Sequence, residues 1–394
     1  MNTFDVIIVG AGPAGSLLGY YLVQKKINVL IIDKQKLPRY KVCGGGLTKR
    51  ALDIIPFNIS EVIESYSHDL NITLNNSIVF QYTSSLPVIG MVMRDRFDCF
   101  LTKKATHQGA ALMDETAFKS VTGKAGDLNV ETSRGFLKAK ILVGADGVYS
   151  KTAKALKLNI SSKQMIGLEA EIYIPNANML KTLMNITSFD FGVIPEGYGW
   201  IFPKKEHLSI GILSVSKKIK AMKQYFYNYL ETKKLQNYAH IKSLKGWMIP
   251  YGPPKNILYA NEKGLLVGDA AGLSDPITGE GIFYAFKEAD IASQIIADKL
   301  LLGKGGLSLY NETLKPLQKD LAYALKLHRL VYKIPQISHK MMKAHGNRLG
   351  KKYIDIITGK TTYCALYKKI FSIRGVKTLF SNQCKNPGAS RQLS

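Results

Sequence analysis

The chain has 394 residues, of which 46% are apolar, enough for a large core and two or three folding units and too apolar for a disordered segment. Lys and Arg exceed Asp and Glu by 25, and the excess is uneven: from Leu321 to Ser394 there are 15 basic residues and a single acid, Asp355, a net of +14. No run of 18 or more apolar residues exists, so no spanning helix is expected. The four cysteines (Cys43, Cys99, Cys364, Cys384) show neither CxxC pairs, a disulfide framework nor metal-ligand spacing.

The N-terminus shows no signal-peptide pattern, so a cytoplasmic setting is expected, with peripheral attachment at the inner face of the membrane as its extension. The basic tail reads either as a solvated lysine-rich helical surface or as a surface for anionic lipid or an anionic substrate. Nucleic acid is set aside, because no helix-turn-helix, zinc-finger or RNP pattern accompanies the charge.

In chain order, Phe4 to Val9 reads as a buried parallel strand and Pro13 to Lys25 as a helix, joined by Gly10-Ala-Gly12-Pro-Ala14-Gly15. Gly10 permits the tight turn, Gly12 lets backbone approach a pyrophosphate, and Gly15 lets helix and strand pack closely. The helix start offers N–H groups and a positive dipole end to phosphates. A second strand, Asn28 to Ile32, ends at Asp33, about 20 residues past the fingerprint, where an acid accepts ribose hydroxyls beside Lys34. Short alternating strands follow between Asn71 and Val92. A helix then begins near Asp95 with Phe97, Leu101 and Ala105 on one face. Hairpin-like strands turn at Gly123 and Gly126, and the run Ile141-Leu142-Val143 ends in Gly144-Ala-Asp146-Gly147.

From Gly167 to Ile249 the chain reads mainly as strands: Leu168–Ile174, Ser188–Ile194, Gly199–Phe202 and Leu208–Val215, interrupted by a helix from about Lys217 to Thr232. Nucleotide signals return at Gly264, with Gly268-Asp269-Ala-Ala-Gly272 and Gly279-Glu280-Gly281-Ile282, followed by a helix to about Leu302. Two glycine-rich segments so far apart suggest one long cofactor held from both ends, FAD. The remainder is helical, with Pro316 and Pro335 as breaks or starts. The expected fold is α/β, a Rossmann-like FAD-binding domain (1–70, 93–166, 255–302), with an inserted, mainly antiparallel substrate sheet (71–92, 167–254) and a basic helical C-terminal region (303–394).

With Gly10–Gly15, Arg94-Asp-Arg-Phe97-Asp98, Gly144-Ala-Asp146-Gly147 and Gly268-Asp269 in this order, the chain resembles the p-hydroxybenzoate hydroxylase superfamily of flavoproteins. Arg39-Tyr-Lys41-Val-Cys43-Gly44-Gly45-Gly46-Leu47 and Pro195-Glu-Gly-Tyr198-Gly-Trp200-Ile-Phe202-Pro203 are similar to the cysteine–glycine loop and the PxxYxWxFP motif of its geranylgeranyl reductase family. The resemblance covers about residues 1 to 300. It implies an FAD-dependent reductase that saturates C=C bonds of a polyprenyl chain on a lipid, quinone or pigment precursor. It also implies that Arg94 contacts FAD and that Asp269 bonds the ribityl or pyrophosphate part.

The residues support this independently. The helix opening at Gly279, Gly281 and Ile282 would stabilise negative charge at the flavin pyrimidine edge. Asp146 reads as structural or cofactor-proximal. Gly44, Gly45 and their neighbour leave backbone free to approach the isoalloxazine. Cys43 beside them reads either as an inert small thiol or as a group that orients flavin or substrate and relays a proton. Tyr198, Trp200 and Phe202 share one strand face, either a core stripe or an aromatic wall for a prenyl chain.

Hydride delivery to an unactivated alkene needs a proton at the other carbon, for which Cys43, Tyr198 and ordered water are the candidates. With no second GxGxxG, the reductant is external, NAD(P)H or a reduced ferredoxin, and the basic surface suits an acidic donor protein. The alternatives are a flavin monooxygenase or halogenase, and a membrane-associated electron-transfer flavoprotein. Halogenases carry a related W-x-W-x-I-P motif, which departs from this sequence at Tyr198 and Phe202.

Overall fold

The run Thr3–Val9 forms the central strand of the first sheet, paired in parallel with Val29–Ile32 on one side and with Gly135–Gly144 on the other. Ala111–Met113 extends the sheet beyond Val29–Ile32, and Gly264–Leu266 runs parallel to residues 142–144. An antiparallel pair, Asp127–Thr132 and Phe118–Lys124, completes it. Val6 to Val9 and Val29 to Ile32 are buried throughout, as strands covered on both faces require. The helices Pro13–Gln24, Arg94–His107 and Ile282–Leu302 pack together over the sheet, with Phe97, Leu101 and Ala105 all inward. The turns after Val9, Ile32, Gly144 and Leu266 therefore meet at the carboxyl ends of parallel strands, where open α/β sheets bind ligands. This computed structural model describes residues 3–158, 163–175, 177–184, 186–216, 219–236, 240–241, 244–254 and 257–372.

The second sheet orders its strands His240–Ile241, Lys163–Tyr173, Leu208–Ser214, Gly197–Pro203, Ile186–Phe191, Asp69–Leu74 and Ser77–Thr83, with Lys245–Tyr251 also on Lys163–Tyr173. All pairings are antiparallel except Ile186–Phe191 with Asp69–Leu74. Side chains alternate between faces along each strand. Ile201, Ile210 and Ile212 face the helix Met222–Thr232 through Phe226 and Tyr229, whereas Phe189, Tyr198, Trp200 and Leu213 face the other way. The expected start of that helix, Lys217, lies outside the described residues.

Segment 71–92 divides its allegiance. Asp69–Leu74 and Ser77–Thr83 join the large sheet, while Ile89–Val92 lies between Gly46–Thr48 and Ile63–Ser67 in a separate three-stranded sheet. That small sheet ties the cysteine–glycine loop to the start of the Arg94 helix.

The C-terminal helices are Leu309–Thr313, Lys315–Lys333, Pro335–Ile357 and Tyr363–Ile370. Pro316 and Pro335 sit in first turns, where a missing N–H costs nothing. The third of these helices changes course at His345 and crosses the strand Ser77–Thr83 through Gly346 and Gly350. A Cβ at Gly346 would lie 2.0 Å from the Val79 carbonyl oxygen, and one at Gly350 2.0 Å from Phe80 Cγ. The tail is thus roofed onto the second sheet. Phe380 and Cys384 lie outside the described residues.

Candidate functional site

Gly10, at φ +114°, turns the chain so tightly that a Cβ would lie 2.3 Å from the Ala145 carbonyl oxygen. At Gly15 the obstacle is Gly10's own carbonyl oxygen, 2.0 Å away. Gly12 is different: a Cβ there meets nothing closer than Arg39 Nη2 at 3.9 Å, so its open side faces the cleft. Asp33 closes the turn, accepting from the Ala11 amide at 2.9 Å and from the Gln35 amide at 3.0 Å. The same carboxylate also accepts from Arg39 Nε and Nη2, at 3.2 and 3.1 Å, so its ribose-binding role would be shared with a cation absent from the expectation. Arg39 continues to Asp98 at 3.0 Å. Lys34 is exposed, beyond these contacts.

The two glycine-rich segments meet. Gly268, at φ +65°, lies against Ala14, where an added Cβ would come within 2.9 Å of the Ala14 Cβ. Its amide donates to the buried Glu288 at 2.5 Å. Asp269 is half-buried, with Oδ1 only 3.3 Å from where a Gly281 side chain would begin. Gly281 caps the long helix Ile282–Leu302, and Gly279 takes φ +72° just before it. Between them Glu280 accepts from Thr48 and Arg50. Arg50 is buried, reaches Asp275 at 3.5 Å, and stacks 4.3 Å from the Phe283 ring. Burial pushes the Asp275 carboxyl up, and Arg50 opposes that push. Sequence reasoning missed Arg50, because its partners lie some 230 residues away.

Asp146 supports the start of a helix whose cap is Ser150. It accepts from Ser150 Oγ at 2.5 Å and from the amides of Lys151 and Thr152 at 2.8 and 3.0 Å, opening the helix Lys151–Ala155.

The cysteine–glycine loop lies on the aromatic strand. A Cβ on Gly44 would sit 2.9 Å from both Trp200 Nε1 and Phe202 Cδ2, and one on Gly46 3.1 Å from Phe202 Cε2. The glycines make room for Trp200 and Phe202, and those two rings seat the loop. Cys43, half-buried, accepts from the Gly45 amide at 3.4 Å, and Arg94 lies near its thiol. Arg94 also grips Asp98 at 2.8 and 3.0 Å, so its guanidinium is engaged by protein groups at the thiol. Nearby, Lys41 places its ammonium 4.2 Å from the Trp247 ring. Burial brings its pKa down to about 8, against the pull of Asp269.

Tyr198 does line a cavity. Its hydroxyl donates to the Thr278 carbonyl at 2.5 Å, and burial, reinforced by Asp275, pushes the phenol far above its ordinary value. That hydroxyl is thus engaged by a backbone acceptor. Phe189, Phe191 and Tyr198 form the floor, and Val331, Met342 and Tyr353 of the C-terminal helices form part of the roof. The cavity volume is about 180 Å³, the space is partly open to solvent, and its lining is almost wholly apolar.

A family model described as FAD binding domain matches residues 3–211, slightly more than half of the chain. The chain is 36% identical over 327 residues to an uncharacterized protein of Methanosarcina barkeri, covering 83% of this chain and 82% of that one. It is 26% identical over 400 residues to the digeranylgeranylglycerophospholipid reductase of Methanocaldococcus jannaschii, covering 94% and 98% respectively. Among solved structures, a geranylgeranyl bacteriochlorophyll reductase-like protein of Thermoplasma acidophilum superposes with a TM-score of 0.78 at 20% identity, over 98% of this chain and 97% of the other.

Proposed function

We propose, from the premise that the chain belongs to the FAD binding domain family of FAD-dependent oxidoreductases alongside the geranylgeranyl reductases, that it saturates C=C bonds of a polyprenyl chain carried on a lipid. The apolar cavity between Tyr198 and the C-terminal helices carries this reading. Its walls offer almost no polar group. A prenyl chain asks for apolar area and little else. Relatives named for geranylgeranyl-bearing substrates support the choice.

Gly12, the start of the helix Pro13–Gln24, Asp33 with Arg39, and Asp269 beside Gly281 would hold FAD; the open side of Gly12 fits backbone approach to a pyrophosphate. When bound, FAD supplies the hydride. The roof helices cover the cavity with apolar side chains, and Cys43 is the acid we assign to the second carbon, since Tyr198 is committed to Thr278. The electrons enter from outside the chain, from NAD(P)H or a reduced ferredoxin, and a net charge of +25 favours an acidic protein donor. The lipid substrate and the basic tail together suit docking on an anionic membrane surface.

The test is anaerobic. Dithionite-reduced protein is mixed with a geranylgeranyl-bearing glycerophospholipid, and flavin reoxidation and lipid mass are followed together. Reoxidation with a gain of two hydrogens per double bond is expected. Reoxidation that requires O₂ and yields an oxygenated or halogenated product would replace this reading with the monooxygenase or halogenase alternative.

A further inference from the structure

We propose that Lys204 is the positioning residue for Cys43: a buried ammonium that clips the cysteine–glycine loop to the chain leading into Arg94. Lys204 has no exposed surface. Its Nζ donates to the Gly44 carbonyl at 2.6 Å and to the Val92 carbonyl at 2.9 Å. One acceptor adjoins Cys43; the other lies two residues before Arg94, which lies near the Cys43 thiol. The Val92 amide returns a bond to the Gly45 carbonyl at 2.9 Å, closing the junction. Gly45 takes φ +66°, and a Cβ there would lie 2.0 Å from the Val92 oxygen and 2.8 Å from the ammonium itself. The glycine and the lysine thus fit one another.

The lysine is itself held. It follows Pro203 at the end of the aromatic strand, and its amide donates to the His207 carbonyl at 2.8 Å across the hairpin. Its charge is balanced by two buried acids, Glu169 and Glu171, on the strand Lys163–Tyr173 one strand further on, beyond Leu208–Ser214. Glu169 accepts from Ser209 Oγ at 2.8 Å, and Glu171 Oε2 lies 2.9 Å from His207 Nε2. Burial lowers the lysine's proton affinity; burial, with Glu171 next, raises that of Glu169. A buried cation with its acids is a weak device for stability, since apolar residues of similar volume usually serve as well. What an apolar residue could not do is bind two carbonyls at once, on either side of the thiol–guanidinium pair.

The proposal rests on the role assigned to Cys43 above, so the test has one arm that needs no substrate. Iodoacetamide alkylation of the FAD-loaded protein is followed residue by residue by mass spectrometry. In Lys204→Met, Cys43 should react at least tenfold faster, while Cys99 and Cys364 keep their wild-type rates and report that the rest of the molecule has not loosened. In the second arm, flavin reoxidation by the geranylgeranyl-bearing glycerophospholipid should slow at least tenfold in Lys204→Met. In a Cys43→Ala background the same change should add less than twofold, because a residue acting through Cys43 has nothing left to act on.

Should Lys204→Met not retain FAD, Lys204→Gln, which keeps N–H donors without the charge, takes the same measurements, with an intermediate alkylation rate expected. Unchanged Cys43 alkylation, equal acceleration at all three cysteines, or fully additive losses in the double variant would overturn the proposal. If the wild type ignores the lipid, the substrate reading fails while alkylation still decides the role of Lys204.

Discussion

Replacing Gly12 with valine should abolish FAD binding and leave the fold intact. The residue adopts φ −84°, ψ −176°, extended backbone that valine accepts readily and that the following Pro13 favours. A Cβ would meet nothing closer than Arg39 Nη2 at 3.9 Å, the mobile end of a long side chain. The apoprotein should therefore change by no more than about 0.5 kcal/mol, as for substitutions that disturb no packed contact. The added methyls occupy the one side from which a pyrophosphate can reach the helix start. A loss of at least about 100-fold in affinity, or about 2.8 kcal/mol, is expected. Gly10→Ala is the contrasting variant. Its φ of +114° and a Cβ 2.3 Å from a backbone oxygen should destabilise the apoprotein by roughly 2–6 kcal/mol, combining backbone strain with overpacking. Urea unfolding of apoprotein and flavin-fluorescence titration measure the two quantities separately. A Gly12→Val protein that binds FAD within threefold of wild type, or unfolds more than about 1.5 kcal/mol more easily, refutes the division of labour between the two glycines.

Arg50→Met leaves Asp275 and Glu280 buried without their cation and should cost about 3–5 kcal/mol in chemical denaturation; a loss under about 1 kcal/mol would mean that the cluster is not organised by Arg50. Burial lowers the Lys41 pKa from 10.5 to about 8, so its contribution to apoprotein stability is complete above the usual lysine value and is lost as pH falls toward 8. Lys41→Met should accordingly gain on wild type between pH 10.5 and 8, with a constant difference below; parallel urea midpoints across that range would contradict the assignment. Vesicle co-sedimentation should require anionic lipid and weaken with salt, at about 1 kcal/mol for each Lys or Arg near the surface. Equal recovery on neutral and anionic vesicles would leave the tail a solvated surface.

The cofactor half of the molecule was legible because its signals are local. A β-branched run, glycines at fixed spacing and an acid at the next strand end each act within a few residues of where they stand. Alternation along Tyr198, Trp200 and Phe202 likewise gave the shared face correctly, since a strand has a period of two. Period says nothing of what that face meets. Tyr198 meets the cavity, whereas Trp200 and Phe202 meet Gly44 and Gly46, which arrive from another part of the chain. The same limit hid Arg39, Arg50 and Lys204. Each is an unremarkable basic residue in a basic sequence, and each acquires its role from carboxylates or carbonyls that only the tertiary fold supplies.

The tail was read as charge, and the structure assigns that charge a side. On the helix Lys315–Lys333, Leu327, Leu330 and Val331 line the cavity, while Lys326, Arg329 and Lys333 are exposed. On Pro335–Ile357, Met342, Leu349 and Tyr353 line it, while Lys340, Lys343 and Lys351 are exposed. An amphipathic helix ordinarily spends its apolar stripe on a core. Here the stripe borders a space instead, so the excess of positive charge lies on the outer surface of the roof over that space. Ile334 and Ile337, both exposed, break the basic surface where the two helices join, adjacent to the cavity-lining Val331 and Ser338. Under the proposed function, attraction to anionic headgroups would draw the roof toward the bilayer, and these two exposed apolar side chains would enter it first. No helix among the described residues is long and apolar enough to cross a membrane, and such contact would be made by this surface.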